Sequence, residues 1–171
     1  MPFPYDIPEF NISDIDVETG RTHINWNNVF HEDGERHLTC FHNTRSYWST
    51  AYDPGRNALY IPYHDACLDM TANAESSSGW GPRVGVIRPG SDPDQFMGMA
   101  KVDLSTGKIE RIHTQPVPGN GSALVTGGDL LFWGDMARRF RAFDSDTGAI
   151  LWEAVLGGII QTSTIAYAVD G

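Results

Sequence analysis

Short apolar runs separated by turn residues dominate the C-terminal part of the chain. Leu130-Leu131-Phe132-Trp133, Phe140-Arg141-Ala142-Phe143 and Ile150-Leu151-Trp152-Glu153-Ala154-Val155 are rich in aromatic and branched residues and alternate in the manner of half-buried strands. Ala58-Leu59-Tyr60-Ile61-Pro62 has the same character further upstream. Eighteen Gly and ten Pro, spread over 171 residues, interrupt the chain too often for long helices. The pattern predicts an all-β fold.

Internal similarity refines that expectation. Asp144-Ser145-Asp146-Thr147-Gly148 is echoed by Asp103-Leu104-Ser105-Thr106-Gly107 and by Asp16-Val17-Glu18-Thr19-Gly20, giving three copies of D-x-x-T-G. The later two lie 41 positions apart and the first two 87 apart, about twice that period. A repeat of about 40 to 45 residues suits a four-stranded propeller blade. Each copy reads as a hairpin turn, the Asp carboxylate accepting backbone N–H groups two residues on and the Gly supplying a positive φ. Tyr60 stands 46 positions before Thr106, whereas its counterpart Phe132 stands 15 before Thr147. The difference, about 31 residues, places an insertion over residues 66–96 that is expected to project from one face, as a functional lid or as packing against a neighbour.

Charge narrows the partners. Twenty-two acidic against twelve basic residues give a net −10, and no basic run exceeds Arg138-Arg139. Such a surface repels nucleic acid and anionic membrane. No apolar stretch of about 18 residues is present, so no transmembrane segment is expected. The opening Met1-Pro2-Phe3-Pro4-Tyr5-Asp6 has neither the basic nor the apolar region of a signal peptide; an export signal, if used, is expected upstream.

The segment Ala142-Phe143-Asp144-Ser145-Asp146-Thr147-Gly148-Ala149-Ile150-Leu151-Trp152 resembles the tryptophan-docking motif A-x-D-x-x-T-G-K-x-x-W of the pyrroloquinoline quinone (PQQ)-dependent alcohol and methanol dehydrogenases, with Ala149 at the usual Lys. Gly127 to Asp135, Arg138 to Asp144 and Gly157 to Gly171 also look like the late blades of that family's eight-bladed propeller. The resemblance implies a C-terminal fragment of about three four-stranded blades, cut at both ends. Ala142, Asp144, Thr147, Gly148 and Trp152 would dock one blade on the next. Arg111 and Ile24 stand where the other two copies lack the Trp, so docking there is expected to be weaker or absent. Family members carry a disulfide around the corresponding strand pair, which implies a Cys40–Cys67 bond and a periplasmic or extracellular location. Two free buried thiols are the alternative.

The same resemblance implies PQQ as cofactor, a calcium or lanthanide ion beside it, a small alcohol as substrate, and an electron acceptor such as a cytochrome c. The protein positions these groups while the quinone carries the redox step. In family order the metal-binding Glu and Asn and the catalytic Asp precede the disulfide, so no catalytic or metal residue is expected here, and the fragment alone is expected to be inactive. It would supply a later wall of the site. Cys40 to Trp48 occupies the family position of a PQQ-bonding Asn; the spacing is shorter here, leaving Asn43, Ser46 and Trp48 as alternatives. Asn43, Arg45 and Trp48 are therefore candidate cofactor-binding residues, with propeller packing as the competing role. Asn120 stands where many members place a Trp beside the quinone, against the plainer reading of an Asn-Gly turn.

Other polar groups point elsewhere. The six histidines show no zinc spacing, His64 included. Arg138 and Arg139 beside Asp135 suggest surface or interblade ion pairs. Nucleophile-elbow, P-loop and dinucleotide fingerprints are lacking. The competing function is a noncatalytic PQQ-repeat propeller acting as a protein–protein scaffold.

Overall fold

The computed structural model describes residues 11–40, 48–77 and 80–169. All regular elements among them are β-strands apart from one 3-10 turn at Trp26–Asn28, as the punctuated sequence predicted. The chain divides into two compact units, Met1–Thr44 with Asp65–Ser91, and Arg45–His64 with Asp92–Gly171.

In the first unit, β1 (Ile12–Ile15) and β2 (Thr22–Ile24) form a lone antiparallel hairpin closed by the first D-x-x-T-G copy. β3 (Arg36–Thr39) pairs with β6 (Ala66–Ala72), which pairs with β7 (Trp80–Ile87), giving a three-stranded sheet. Cys40 and Cys67 are joined by a disulfide, both fully buried, with Leu38 and Val86 packed around them. A forked Arg36–Asp69 pair ties β3 to β6. At the base of the β6–β7 hairpin, Arg88 reaches both oxygens of Asp65 at 2.6 and 2.9 Å, and the Ser91 hydroxyl donates to the same carboxylate at 2.7 Å.

The second unit holds two complete blades. One is ordered β4 (Ala51–Asp53), β5 (Ala58–His64), β8 (Met97–Asp103), β9 (Ile109–Gln115). The other is β10 (Leu124–Val125), β11 (Leu130–Gly134), β12 (Arg139–Asp144), β13 (Ile150–Val155). All neighbours are antiparallel. β5 and β11 occupy equivalent places, as their matching apolar patterns suggested. Since β5 and β8 are direct partners, the stretch from Asp65 to Phe96 leaves and re-enters the blade between two paired strands, and it carries β6 and β7. Residues 156–169 contain no strand.

The blades bury a shared core of Tyr60, Met99, Leu131, Trp133 and Phe143, with Ala51, Ala58 and Ala123 filling the narrow spaces. Burial of such side chains, each favourable by about 1.5–3 kcal/mol, is what a single four-stranded sheet cannot achieve alone. Polar ties surround this core. The Tyr60 hydroxyl donates to Ser145 O at 2.8 Å, Lys101 pairs with Asp146, and Arg56 spans Asp53 at 3.1 Å and Asp129 at 2.6 Å.

The three D-x-x-T-G turns share one geometry. Oδ1 of Asp16, Asp103 and Asp144 accepts from the backbone N–H groups of the second and third residues after it, at 2.8–3.2 Å. The Gly N–H returns to the Asp carbonyl at 2.7–2.9 Å, with φ of +71°, +73° and +74°. The Thr147 backbone N–H and hydroxyl hold the Asp144 carboxyl below the usual carboxylate range. Gly148 also presses against the preceding blade: a Cβ there would lie 1.9 Å from Ile112 O. The turn thus docks beside Arg111, despite the missing Trp; Arg111 lies instead over the Tyr63 ring, 5.1 Å from its centroid. Trp152, the docking-motif indole, meets Phe140 edge-on and is 51% exposed.

These observations separate two costs of adding a methyl group. Gly20→Ala meets open space and only the positive φ, and is expected to lose about 1 kcal/mol. Gly148→Ala adds the clash with Ile112 and is expected to lose about 3 kcal/mol or more in urea unfolding.

Candidate functional site

Of the four residues expected to face a cofactor, Asn43 and Arg45 lie outside the described residues, as does Ser46. Trp48 and Asn120 both belong to the second unit, and the structure relates them through a residue the sequence did not single out. Trp48 is buried at 3% exposure with its indole against the His64 imidazole, ring centroids 4.1 Å apart and planes 37° apart. His64 Nε2 lies 3.3 Å from Gly119 O, the carbonyl immediately before Asn120. A carbonyl only accepts, so this nitrogen carries the proton and donates.

Asn120 sits in a braced backbone. Gly119 and Gly121 do not have positive φ; they are glycines because neighbours leave no room. A Cβ on Gly119 would fall 1.7 Å from Cζ2 of Trp133, and one on Gly121 would fall 2.8 Å from Gly134 O. Gly121 N donates to Gly134 O at 3.2 Å, while Gly121 O accepts from Trp133 Nε1 at 3.0 Å. Asn120 is half-buried, its Nδ2 lies 3.3 Å from Met136 Sδ, and its Oδ1 is buried without a hydrogen-bond partner. Buried amide oxygens are normally satisfied, so an orphan of this kind calls for an explanation. The same segment couples the stretches leading into β4 and β10: Ser49 N donates to Ser122 Oγ at 2.9 Å and Ala123 N to Ser49 O at 3.0 Å.

A second polar group joins the same two blades. Arg141, buried, donates to Asp135 Oδ2 and Gln115 Oε1 at 2.9 Å each and to Glu153 Oε2 at 2.6 Å, joining the two blades. Its guanidinium holds the Glu153 carboxyl below the ordinary range. Of the pair suggested by the sequence, Arg139 pairs with Glu153, and its backbone N–H donates to Asp135. The buried partner of Asp135 is Arg141, which strand alternation alone placed without a role. Among the described residues, no three His, Cys, Asp or Glu side chains converge on a possible ion.

Residues 96–171 match the family described as the PQQ glucose/ethanol/alcohol dehydrogenase β-propeller domain. A 1-butanol dehydrogenase (cytochrome c) of Thauera butanivorans is 41% identical over 142 residues, which is 74% of this chain and 20% of that protein. At the level of a segment, the chain belongs to the quinoprotein alcohol dehydrogenase family. A quinohemoprotein alcohol dehydrogenase of Pseudomonas putida aligns with 96% of this chain at 26% identity, over 25% of its own length. This quinoprotein segment therefore spans about a quarter or less of such relatives. In fold it is similar to a europium-containing methanol dehydrogenase, with TM-score 0.73 and 23% identity over 90% of this chain and 28% of that one. It is also similar to the quinohemoprotein alcohol dehydrogenase of Comamonas testosteroni, at TM-score 0.69 and 20% identity over 96% and 26%.

The core of this family segment contains a titratable ring. His113 lies 4.9 Å from the Phe143 ring, with Nε2 3.1 Å from Gln115 Oε1, and burial pushes its pKa below the ordinary 6.5. Between 6.5 and its lower folded pKa, the unfolded chain binds a proton that the folded chain does not. The stability it contributes is present above pH 6.5 and is lost as pH falls through the folded pKa. Urea midpoints are expected to fall in this window for the native chain and to flatten in His113→Gln.

Proposed function

We propose that the chain forms part of the cofactor wall of a PQQ-dependent alcohol dehydrogenase acting on a primary alcohol or related hydroxyl compound. The observation that carries the reading is Asn120, whose buried amide oxygen lacks a partner at the position where the family resemblance puts a residue beside the quinone. PQQ, when bound, supplies a quinone able to take up hydride. An amide fits such a group because it offers both a donor and an acceptor to a ring bearing carbonyl, carboxylate and N–H functions. In this arrangement Asn120 contacts the cofactor, and Trp48, its indole buried against His64, belongs to the same wall. Asn43 and Arg45 are assigned to the same wall by their sequence position.

Among the described residues no three His, Cys, Asp or Glu side chains converge, so none is offered as a ligand set for a calcium or lanthanide ion. The metal ligands and the Asp base are assigned to a part of the protein outside this chain. The disulfide supports a periplasmic or extracellular setting, where oxidised cysteines persist. A cytochrome c is the proposed electron acceptor, and the remaining blades the structural partner of the exposed β13 face.

The full-length protein, purified without cofactor, is expected to reduce an artificial dye with a primary alcohol only after PQQ and calcium or a lanthanide are added. The isolated 171-residue chain is expected to show no such activity and no tight PQQ binding. Dye reduction that needs no PQQ, or a coding region lacking the Glu, Asn and Asp, would overturn the reading.

A further inference from the structure

We infer that His64 is a positioning residue that sets the direction in which Asn120 presents its amide. The inference deepens the cofactor-wall reading above and rests on it.

The geometry gives His64 a specific means of control. The Gly119 carbonyl and the Asn120 N–H belong to one planar peptide unit, so a hydrogen bond at Gly119 O fixes the plane on the N-terminal side of Asn120. The next unit is fixed independently, because Gly121 N donates to Gly134 O, and the unit after it is held in turn by Gly121 O accepting from Trp133 Nε1. With both flanking planes held, only the Asn120 side-chain torsions remain. Neither Gly119 nor Gly121 can shift toward its neighbour, since each already lies too close to Trp133 or Gly134 to admit a methyl group. His64 is in turn held by the Trp48 ring and by its place as the last residue of β5, paired with Met97. Precision of this sort is what a functional side chain obtains from its supporting layer.

The test separates the hydrogen bond from the ring's volume. In the full-length apoprotein, PQQ affinity is measured by quenching of intrinsic fluorescence, with the thermal midpoint of the apoprotein recorded beside it. His64→Gln retains an N–H donor and is expected to bind PQQ within about twofold of the native protein. His64→Leu fills the space without donating and is expected to bind about tenfold more weakly, the worth of one hydrogen bond. Asn120→Ala is expected to weaken binding comparably, and the His64→Leu/Asn120→Ala double variant is expected to be no worse than Asn120→Ala alone, as two residues acting through one contact require. Equal affinities for the Gln and Leu variants, or additive losses in the double variant, would overturn the role of His64 while leaving the cofactor wall intact. Failure of the native apoprotein to bind PQQ would overturn the cofactor wall itself, and this inference with it.

Discussion

Trp133 is buried completely between two blades, and the second unit is organised around that indole. Its ring packs with Phe143 and His113 in the shared core, while its one polar atom, Nε1, must find an acceptor and finds Gly121 O. A buried indole N–H without a partner would cost about 1–3 kcal/mol, so the position of this backbone carbonyl is part of the requirement for burying the ring. The ring edge also excludes any side chain at Gly119. One residue therefore links the hydrophobic assembly of the blades to the backbone that presents Asn120. Packing and the candidate site share their geometry.

Polar groups complete what the apolar core begins. Arg141 draws charged and amide groups from both blades into one buried network. Removing one member of such a network leaves a desolvated charge, which costs about 3–5 kcal/mol, so its present contribution is to fix which arrangement of the blades is allowed. Tyr60, Lys101 and Arg56 repeat the idea nearer the D-x-x-T-G turns, where backbone carbonyls and carboxylates of one blade meet donors of the other. Docking without a tryptophan at Arg111 is understandable on these terms, since Gly148 and the surrounding ties supply the contact.

Local features were readable from the sequence, because their causes are local. The D-x-x-T-G turns depend on one carboxylate, one hydroxyl and one glycine within five positions, and the strands flanking them show their own alternation. Comparing repeats yields only an expected length of extra chain between Tyr60 and Thr106; the hairpin found there, paired with β3 and tied to it by Arg36 and Asp69, depends on a partner far away in sequence. His64 and Arg141 were passed over for the same reason. Nothing within a few residues of His64 marks it as the donor to a carbonyl 55 positions later, and Arg141 occupies a strand where the sequence alone shows only alternation. Gly121 was weighed only as part of an Asn-Gly turn and Gly119 was given no role, yet both answer to steric pressure from Trp133 and Gly134, which only the tertiary packing creates.

The exit and re-entry of the long excursion fall at His64 and Met97, which face each other as the last pair of the β5–β8 ladder. Paired residues on neighbouring strands are about 5 Å apart, so whatever lies between them needs only to start and finish at adjacent points. The Arg88–Asp65 clasp closes that path near its origin, and loop-closure cost grows slowly with length. An insertion can therefore lengthen, shorten or be exchanged at this junction without altering the register of any blade strand. A different connection grafted between His64 and Met97 would thus leave the β5–β8 ladder as it stands.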